Sequence, residues 1–247
     1  METNMARYLD GRYFYIDESG YGRSTCGITR AHASRCIQQL QAISQFVSPE
    51  WLIRLSLAKS NPSVRGFILE KIAIAHLLTR GCSAAGPAFN HPLRLVDFSG
   101  QYPTPRASTV QHDQQWPAIY VPLTFNYGSI DCALVNIKKN SNGKVTGTVI
   151  GIQITCAKEH ENSRKSFMER SDDWRVILLC DNIKFKFLWI VKGLPKGKQA
   201  MKWVVLEQTP RHEEMWLRVS DLTPEIGKTL DEACSADAQT VLNDDNM

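Results

Sequence analysis

The chain has 247 residues, of which 43% are hydrophobic and 22% charged, and it carries a formal net charge of +4 at pH 7. These proportions are typical of a globular protein that is large enough to bury a core. No apolar run approaches the roughly 20 residues of a transmembrane helix, and the N-terminus METNMARYLD lacks the apolar stretch of a secretory signal. The modest positive charge is compatible with a nucleic-acid partner but does not require one.

The seven cysteines indicate a reducing environment inside the cell. Their number is odd, and they show neither a CxxC pair nor the ligand spacing of a zinc site. Cys132, Cys156 and Cys180 each lie in an apolar strand-like segment, where a reduced cysteine behaves as a small hydrophobic residue. We therefore expect a protein of the cytoplasm or the nucleus, with no membrane partner.

The N-terminal third is predicted to be mainly helical. An aromatic strand that ends in a glycine-rich turn occupies residues 12–25 (RYFYIDESGYGRST). Helical spacing of the apolar residues then predicts three helices, at residues 31–46, 50–58 and 63–81. Ser63 is a plausible N-cap of the third helix, and Gly81 is a plausible end.

The strands follow a proline-rich connection at residues 82–118, which contains one short strand near 93–98. Six further strands are predicted, at residues 119–125, 130–139, 144–157, 176–180, 185–191 and 203–208. A polar helical segment at 161–174 interrupts them, and an amphipathic segment begins near residue 220.

This order of elements predicts an α/β or α+β fold in which a mixed central β-sheet is flanked by helices. We expect three parts. Residues 1–60 form an N-terminal extension of helix and strand, residues 61–210 form the central domain, and residues 211–247 form a C-terminal helix with an acidic tail.

The hairpin at residues 130–156 has the most specific local geometry. A three-residue loop, Ser141-Asn142-Gly143, places a glycine where a positive φ is needed and pairs Asn140 with Lys144. Continuing that register brings Asp131 opposite Gln153 on one face of the sheet. A two-residue Asn142-Gly143 turn is the alternative, and it would shift the register by one residue and separate the two side chains.

A carboxylate and an amide oxygen that meet beside a backbone carbonyl suit a hard cation such as Mg²⁺. The structural alternative is an ordinary hydrogen bond between Asp131 and Gln153 at a strand end. Glu70 is a third candidate oxygen ligand. It lies on an apolar face of the third predicted helix, together with Phe67 and Ile74. A carboxylate there must be paired, protonated or bound to a metal.

Lys158 and His160 follow the second hairpin strand and are predicted to bring two basic groups to the same end of the sheet. A lysine can position a phosphate or an attacking water, and a histidine can transfer a proton near neutral pH. The alternatives are a solvated lysine at the sheet edge and a histidine that caps the next helix.

Three segments together resemble the restriction-endonuclease-like PD-(D/E)XK superfamily, in particular the nuclease-type C-terminal domain of Crinkler and retrotransposon-hot-spot proteins. They are Glu70, residues 128–135 (GSIDCALV) and residues 151–160 (GIQITCAKEH). The resemblance covers about residues 60–208. It implies a restriction-endonuclease-like core with a helical N-terminal part, Mg²⁺-dependent cleavage of phosphodiester bonds, and action as an effector in a nucleus.

The resemblance also implies roles for individual residues. Mg²⁺ or Mn²⁺ would be held by Asp131, the Gln153 side-chain oxygen, the Ile154 backbone carbonyl and Glu70. Lys158 and His160 would complete the catalytic set. The superfamily has a lysine two residues after the second metal ligand, whereas this chain has Thr155, so the basic role would pass to Lys158.

The expected partner is nucleic acid, with DNA as the substrate. Five cations are predicted to flank the site and contact the nucleic-acid backbone: Lys138, Lys139, Lys144, Arg164 and Lys165. The resemblance further implies an NTPase domain or partner on a longer protein. The chain has no P-loop motif, since residues 193–200 (GLPKGKQA) have the wrong spacing and lack the hydroxyl residue.

Two other functions remain open at this point. The same fold could be a catalytically inactive module that binds nucleic acid or protein, and Thr155 favours that alternative. The segment at residues 14–22 (FYIDESGYG) resembles the opening motif of a ribonuclease-H-like family, in which Asp17 and Glu18 would bind metal. A nucleophilic hydrolase has little support, because the chain has no GxSxG motif.

Overall fold

The computed structural model describes residues 14–16, 22–24, 43, 45–57, 62–98, 117–122, 130–156, 161–180, 182–208 and 210–232. Its centre is a seven-stranded mixed β-sheet with helices packed on both faces. The predicted mixed α/β fold is therefore confirmed.

The strands of the sheet are β3 (Arg94–Phe98), β4 (Ala118–Pro122), β5 (Cys132–Lys139), β6 (Val145–Thr155), β7 (Asn182–Val191), β8 (Val204–Leu206) and β9 (His212–Arg218). Their order across the sheet is β3-β4-β5-β6-β7-β9-β8. A separate antiparallel pair consists of β1 (Phe14–Ile16) and β2 (Gly22–Ser24).

Strand direction brings several strand ends to one edge of the sheet. β3 and β4 are parallel, as are β6, β7 and β9, whereas β5 is antiparallel to both of its neighbours. The carboxyl ends of β3, β4, β6, β7 and β9 therefore lie at the same edge of the sheet as the amino end of β5. We call this the carboxyl edge of the sheet. Ligands of open α/β sheets commonly bind at such an edge.

The helices are α1 (Pro49–Leu57), α2 (Pro62–Arg80), α3 (Glu161–Glu169), α4 (Ser171–Leu178), α5 (Val219–Leu222) and α6 (residues 224–232). The predictions of α1 and α2 are confirmed, except that Ser63 is the second residue of α2 and not its N-cap. Pro62 begins α2, where its missing N–H costs nothing, and Gly81 follows the helix with φ of 76°. Most of the helix predicted at residues 31–46 lies outside the described residues.

The two faces of the sheet have separate cores. Ile150, Ile152 and Ile154 of β6 pack on the face covered by α2, together with Leu69 and Ile72 of that helix. The alternate residues of β6 face α3 and α4, where Phe167, Trp174 and Phe187 are buried. Gly151 lies under the Phe167 ring, where an added Cβ would come within 2.9 Å of three ring carbons.

Two sequence predictions fail in the second half of the chain. The strand predicted at residues 176–180 is wrong: α4 continues to Leu178, and Leu179 after it has φ of 47°. Trp174 and Leu178 are one helical turn apart and are both fully buried, whereas Val176 and Leu179 are exposed. The segment therefore buries residues with the period of a helix and not of a strand. β9, which is not among the predicted strands, lies between β7 and β8, so the sheet extends beyond residue 210.

Candidate active site

The β5–β6 hairpin has the predicted register. Its pairs run from Lys139 opposite Val145 to Cys132 opposite Ile152. The Asn140 N–H donates to the Lys144 carbonyl at 2.9 Å, and Gly143 has φ of 79°. The three-residue loop is therefore confirmed, and the alternative two-residue turn is wrong.

Asp131 lies at the carboxyl edge, one residue before β5 begins. Its backbone N–H donates to the Ile152 carbonyl at 2.9 Å. Its carboxylate Oδ2 accepts a bond of 2.6 Å from the Ile154 N–H and a bond of 2.9 Å from Gln153 Nε2. The Asp131 side chain thus accepts hydrogen bonds from β6 just beyond the last backbone pair of β5 and β6. It contacts Gln153 as the register predicts.

The orientation of the Gln153 amide is the one expected for a structural hydrogen bond. Its nitrogen faces Asp131, so its oxygen does not share a cation with that carboxylate in this arrangement. A half-turn about the last side-chain bond exchanges the oxygen and nitrogen positions. The N–H and C=O of one strand residue point to the same side, so the Ile154 carbonyl also faces Asp131. Three oxygen donors therefore become available from Asp131, Gln153 and Ile154.

Glu70 reaches the same region from α2, and it is paired there. Lys71 Nζ donates to Glu70 Oε1 at 2.6 Å, and the two side chains are 5% and 22% exposed. The Lys71 ammonium also lies 5.3 Å from the centre of the Phe67 ring. Glu70 is close enough to Asp131 for the two carboxylates to repel each other electrostatically.

The electrostatics of Asp131 favour the approach of a positive charge. Burial raises the pKa of Asp131 well above its ordinary value, and the Glu70 carboxylate raises it further. The hydrogen bonds from Ile154 and Gln153 and the charge of Lys71 lower the pKa without cancelling that increase. A divalent cation beside the two carboxylates would stabilise their ionised forms.

Cys132 lies next to Asp131 in the chain, and its thiol is kept protonated. Burial raises the pKa of Cys132 well above its ordinary value, and the carboxylates of Asp131 and Glu70 raise it further. Because the thiolate is the nucleophilic form of cysteine, Cys132 is not a candidate nucleophile.

The ligand chemistry fits Mg²⁺ or Mn²⁺ better than a softer metal. Two carboxylates, one amide oxygen and one backbone carbonyl form a set of hard oxygen donors, which magnesium and manganese prefer. Within the part of the chain that the structure describes, no three His, Cys, Asp or Glu side chains are grouped to hold a metal. The candidate set has only two such residues, and it depends on Gln153 and on a main-chain oxygen.

Several predicted site residues lie outside the described residues. Lys158 and His160 are among them, so their catalytic roles stay predictions. The same holds for Asp17 and Glu18, on which the ribonuclease-H-like alternative depends.

The hairpin lysines do not flank the site, which corrects that expectation. Lys138, Lys139 and Lys144 are exposed at the turn, whereas Asp131 lies at the other end of the hairpin. Seven residues of strand separate Asp131 from Lys138, which at about 3.3 Å per residue is roughly 23 Å. Contact of these lysines with nucleic acid stays a prediction, but it would occur far from the candidate metal site.

The two predicted cations of α3 differ in their surroundings. Lys165 is exposed to solvent. Arg164 Nη1 donates to Glu214 Oε2 at 2.5 Å, and the Glu214 side chain is only 5% exposed. A phosphate contact by Arg164 would therefore compete with a buried ion pair.

Lys71, which is not among the predicted residues, is a buried cation beside Glu70 in the candidate site. One signal for it was available: the next four residues, IAIA at 72–75, are all apolar, so α2 has little polar face there for a lysine to occupy. All four are buried, as is Lys71.

Comparisons of the chain with protein-family models, with curated proteins and with solved structures find no match. The resemblance to the restriction-endonuclease-like superfamily therefore rests on the motif residues of this chain. Among the described residues, none of the helices is both long enough and apolar enough to cross a membrane.

Proposed function

We propose that this chain is a Mg²⁺-dependent endonuclease that hydrolyses phosphodiester bonds in DNA and belongs with the Crinkler-type members of the restriction-endonuclease-like superfamily. The main support is the meeting of Asp131 and Gln153 at the carboxyl edge, within electrostatic reach of Glu70. These are the three side chains that the resemblance assigns to the metal.

The arrangement of elements supports the same proposal. The motif residues lie on α2, just before β5 and near the end of β6, and the α3–α4 connection leads from β6 to the parallel strand β7. A mixed sheet flanked by helices, with the motif gathered at one edge, is the architecture that the resemblance implies.

The residues of the site would act mainly by binding and orienting. Asp131, the Gln153 oxygen, the Ile154 carbonyl and Glu70 would hold the ion. Bound Mg²⁺ lowers the pKa of a water molecule and neutralises charge that develops on a phosphate. The Ile154 N–H fixes the Asp131 carboxylate at the edge of β6. The predicted role of Lys158 is to hold the phosphate or the attacking water, and that of His160 is to transfer a proton.

Metal removal gives the direct test of this activity. Supercoiled plasmid incubated with the protein and Mg²⁺ is expected to become nicked and then linear, as followed by agarose gel electrophoresis. EDTA should stop the conversion, and excess Mg²⁺ or Mn²⁺ should restore it. Plasmid and linear single-stranded DNA that stay intact with either metal would contradict the proposal.

The alternative is a catalytically inactive module with the same fold, which binds nucleic acid or a protein partner. It is favoured by Thr155, by the Gln153 nitrogen that faces Asp131, and by the Lys71–Glu70 pair, which already satisfies one carboxylate. This function predicts that the protein retains DNA in a gel-shift assay without cleaving it, and that Asp131→Asn leaves the retention unchanged.

A further inference from the structure

Lys71 carries its charge in a buried position, where an ammonium group loses its hydration. It is only 5% exposed, and among the described contacts its ammonium is held by Glu70 and lies near the Phe67 ring. Burying an ammonium destabilises the folded protein unless other groups compensate for the lost hydration. The position therefore needs an explanation beyond the packing of α2.

The ion pair joins two consecutive helical residues, which is unusual. Neighbouring positions on an α-helix point about 100° apart, so side chains at i and i+1 do not face each other. For Lys71 Nζ to reach Glu70 Oε1 at 2.6 Å, both side chains must turn toward one place. Asp131 interacts electrostatically with both of them, so that place lies near the candidate metal site.

We propose that the Lys71 ammonium and a divalent cation compete for Glu70, and that Lys71, once displaced, binds a phosphate oxygen of the substrate. This inference rests on the proposed function for the identity of the anion. In the metal-free protein, Lys71 supplies the positive charge that the two carboxylates need. With the metal in place, the ammonium loses its carboxylate partner, and the substrate phosphate is the anion that replaces it.

Lys71 would supply a lysine to the site even though position 155, where the superfamily has one, is Thr155. Thr155 ends β6 two residues beyond Gln153, whereas Lys71 comes from α2 on the opposite face of the sheet. A lysine that reaches the carboxylates from the helix can serve the same phosphate as one on the strand, because the ammonium acts as a point charge on a long, flexible side chain.

Mn²⁺ affinity provides a test that does not require cleavage. We expect Lys71→Met and Lys71→Gln, which keep a side chain of similar length, to bind Mn²⁺ about tenfold or more tightly than the wild type. The reason is that a competing positive charge has been removed. Isothermal titration calorimetry measures the affinity, and circular dichroism checks the fold. Lys202→Met, at an exposed position, is the matched control and should not change the affinity. Variants that fold but bind Mn²⁺ no more tightly than the wild type overturn the competition.

The cleavage assay separates this inference from the proposed function. Lys71→Met should lower kcat about 100-fold with a smaller change in KM, and Thr155→Lys in the same chain should restore part of the rate. If the wild type cleaves DNA and Lys71→Met cleaves equally well, the assignment of Lys71 is wrong and the nuclease function stands. If the wild type cleaves nothing, the nuclease function is wrong. The Mn²⁺ affinities then still decide whether Lys71 and the cation compete for Glu70.

Discussion

If the proposed metal site is correct, replacement of Asp131 by Asn is expected to lower the rate of Mg²⁺-dependent plasmid cleavage by at least about 100-fold, because the proposed site would lose its central anionic ligand. Asparagine has nearly the same shape, and its Oδ1 can still accept the hydrogen bond from the Ile154 N–H. The loss should therefore appear in the cleavage rate while the fold is retained.

The same substitution makes a second prediction, about stability. Burial and Glu70 raise the pKa of Asp131 above its ordinary value, so ionisation of this carboxyl group destabilises the folded protein relative to the unfolded chain. The stability that Asp131 contributes is present at low pH and is lost as the pH rises from the ordinary aspartate pKa through the raised one. Without metal, Asp131→Asn should therefore be more stable than the wild type at pH 7, and this advantage should vanish toward pH 3.

A surface carboxylate gives the control for the cleavage measurement. Asp172 lies on α4 with its side chain 86% exposed, so Asp172→Asn should change neither cleavage nor its metal dependence. Cleavage that survives in Asp131→Asn at the wild-type rate would show that this carboxylate does not hold the metal.

Replacement of Glu214 by Ala is expected to lower the free energy of unfolding by about 3 kcal/mol, since removing one partner of a buried ion pair leaves the other uncompensated. The Glu214 carboxylate accepts bonds from Arg164 at 2.5 Å and from Trp216 Nε1 at 2.7 Å, and Lys198 lies 3.4 Å away. It thereby joins α3 to β9 beside the stacked rings of Trp189 and Trp216. Urea denaturation followed by tryptophan fluorescence measures the change.

Two comparisons show whether the buried pair is the cause. Glu214→Gln should cost less than Glu214→Ala, because the amide oxygen can still accept from Trp216. The exposed pair of Asp172 and Arg175 should contribute little, so Asp172→Ala is expected to change stability by no more than about 0.5 kcal/mol. Equal effects of Glu214→Ala and Asp172→Ala would contradict the argument.

The parts of the site that were predictable from the sequence are those set by local geometry. The turn residues of the hairpin determine its register, and the register alone brings Asp131 to Gln153. The helical position of Glu70 follows from its apolar neighbours one and two turns away. Neither step requires knowledge of distant contacts.

The parts that were missed depend on contacts between distant residues. β9 carries Glu214, a buried carboxylate that is paired with Arg164, 50 residues earlier in the chain. Because β9 contains such polar residues, a pattern of hydrophobic residues does not identify it as a strand. The apolar run at 176–180 fits a strand and a buried helix equally well until Trp174 and Leu178 are seen to share one face.

The direct test of the proposed metal site is a crystal structure of the protein soaked with Mn²⁺. We predict an anomalous difference peak about 2.1 Å from an Asp131 carboxylate oxygen and from the Gln153 oxygen, with the amide turned by a half-turn from its present orientation. Lys71 should then have moved away from Glu70. A structure without a peak there, in which Gln153 Nε2 still donates to Asp131, would show that the pair is an ordinary hydrogen bond and would remove the basis for a nuclease.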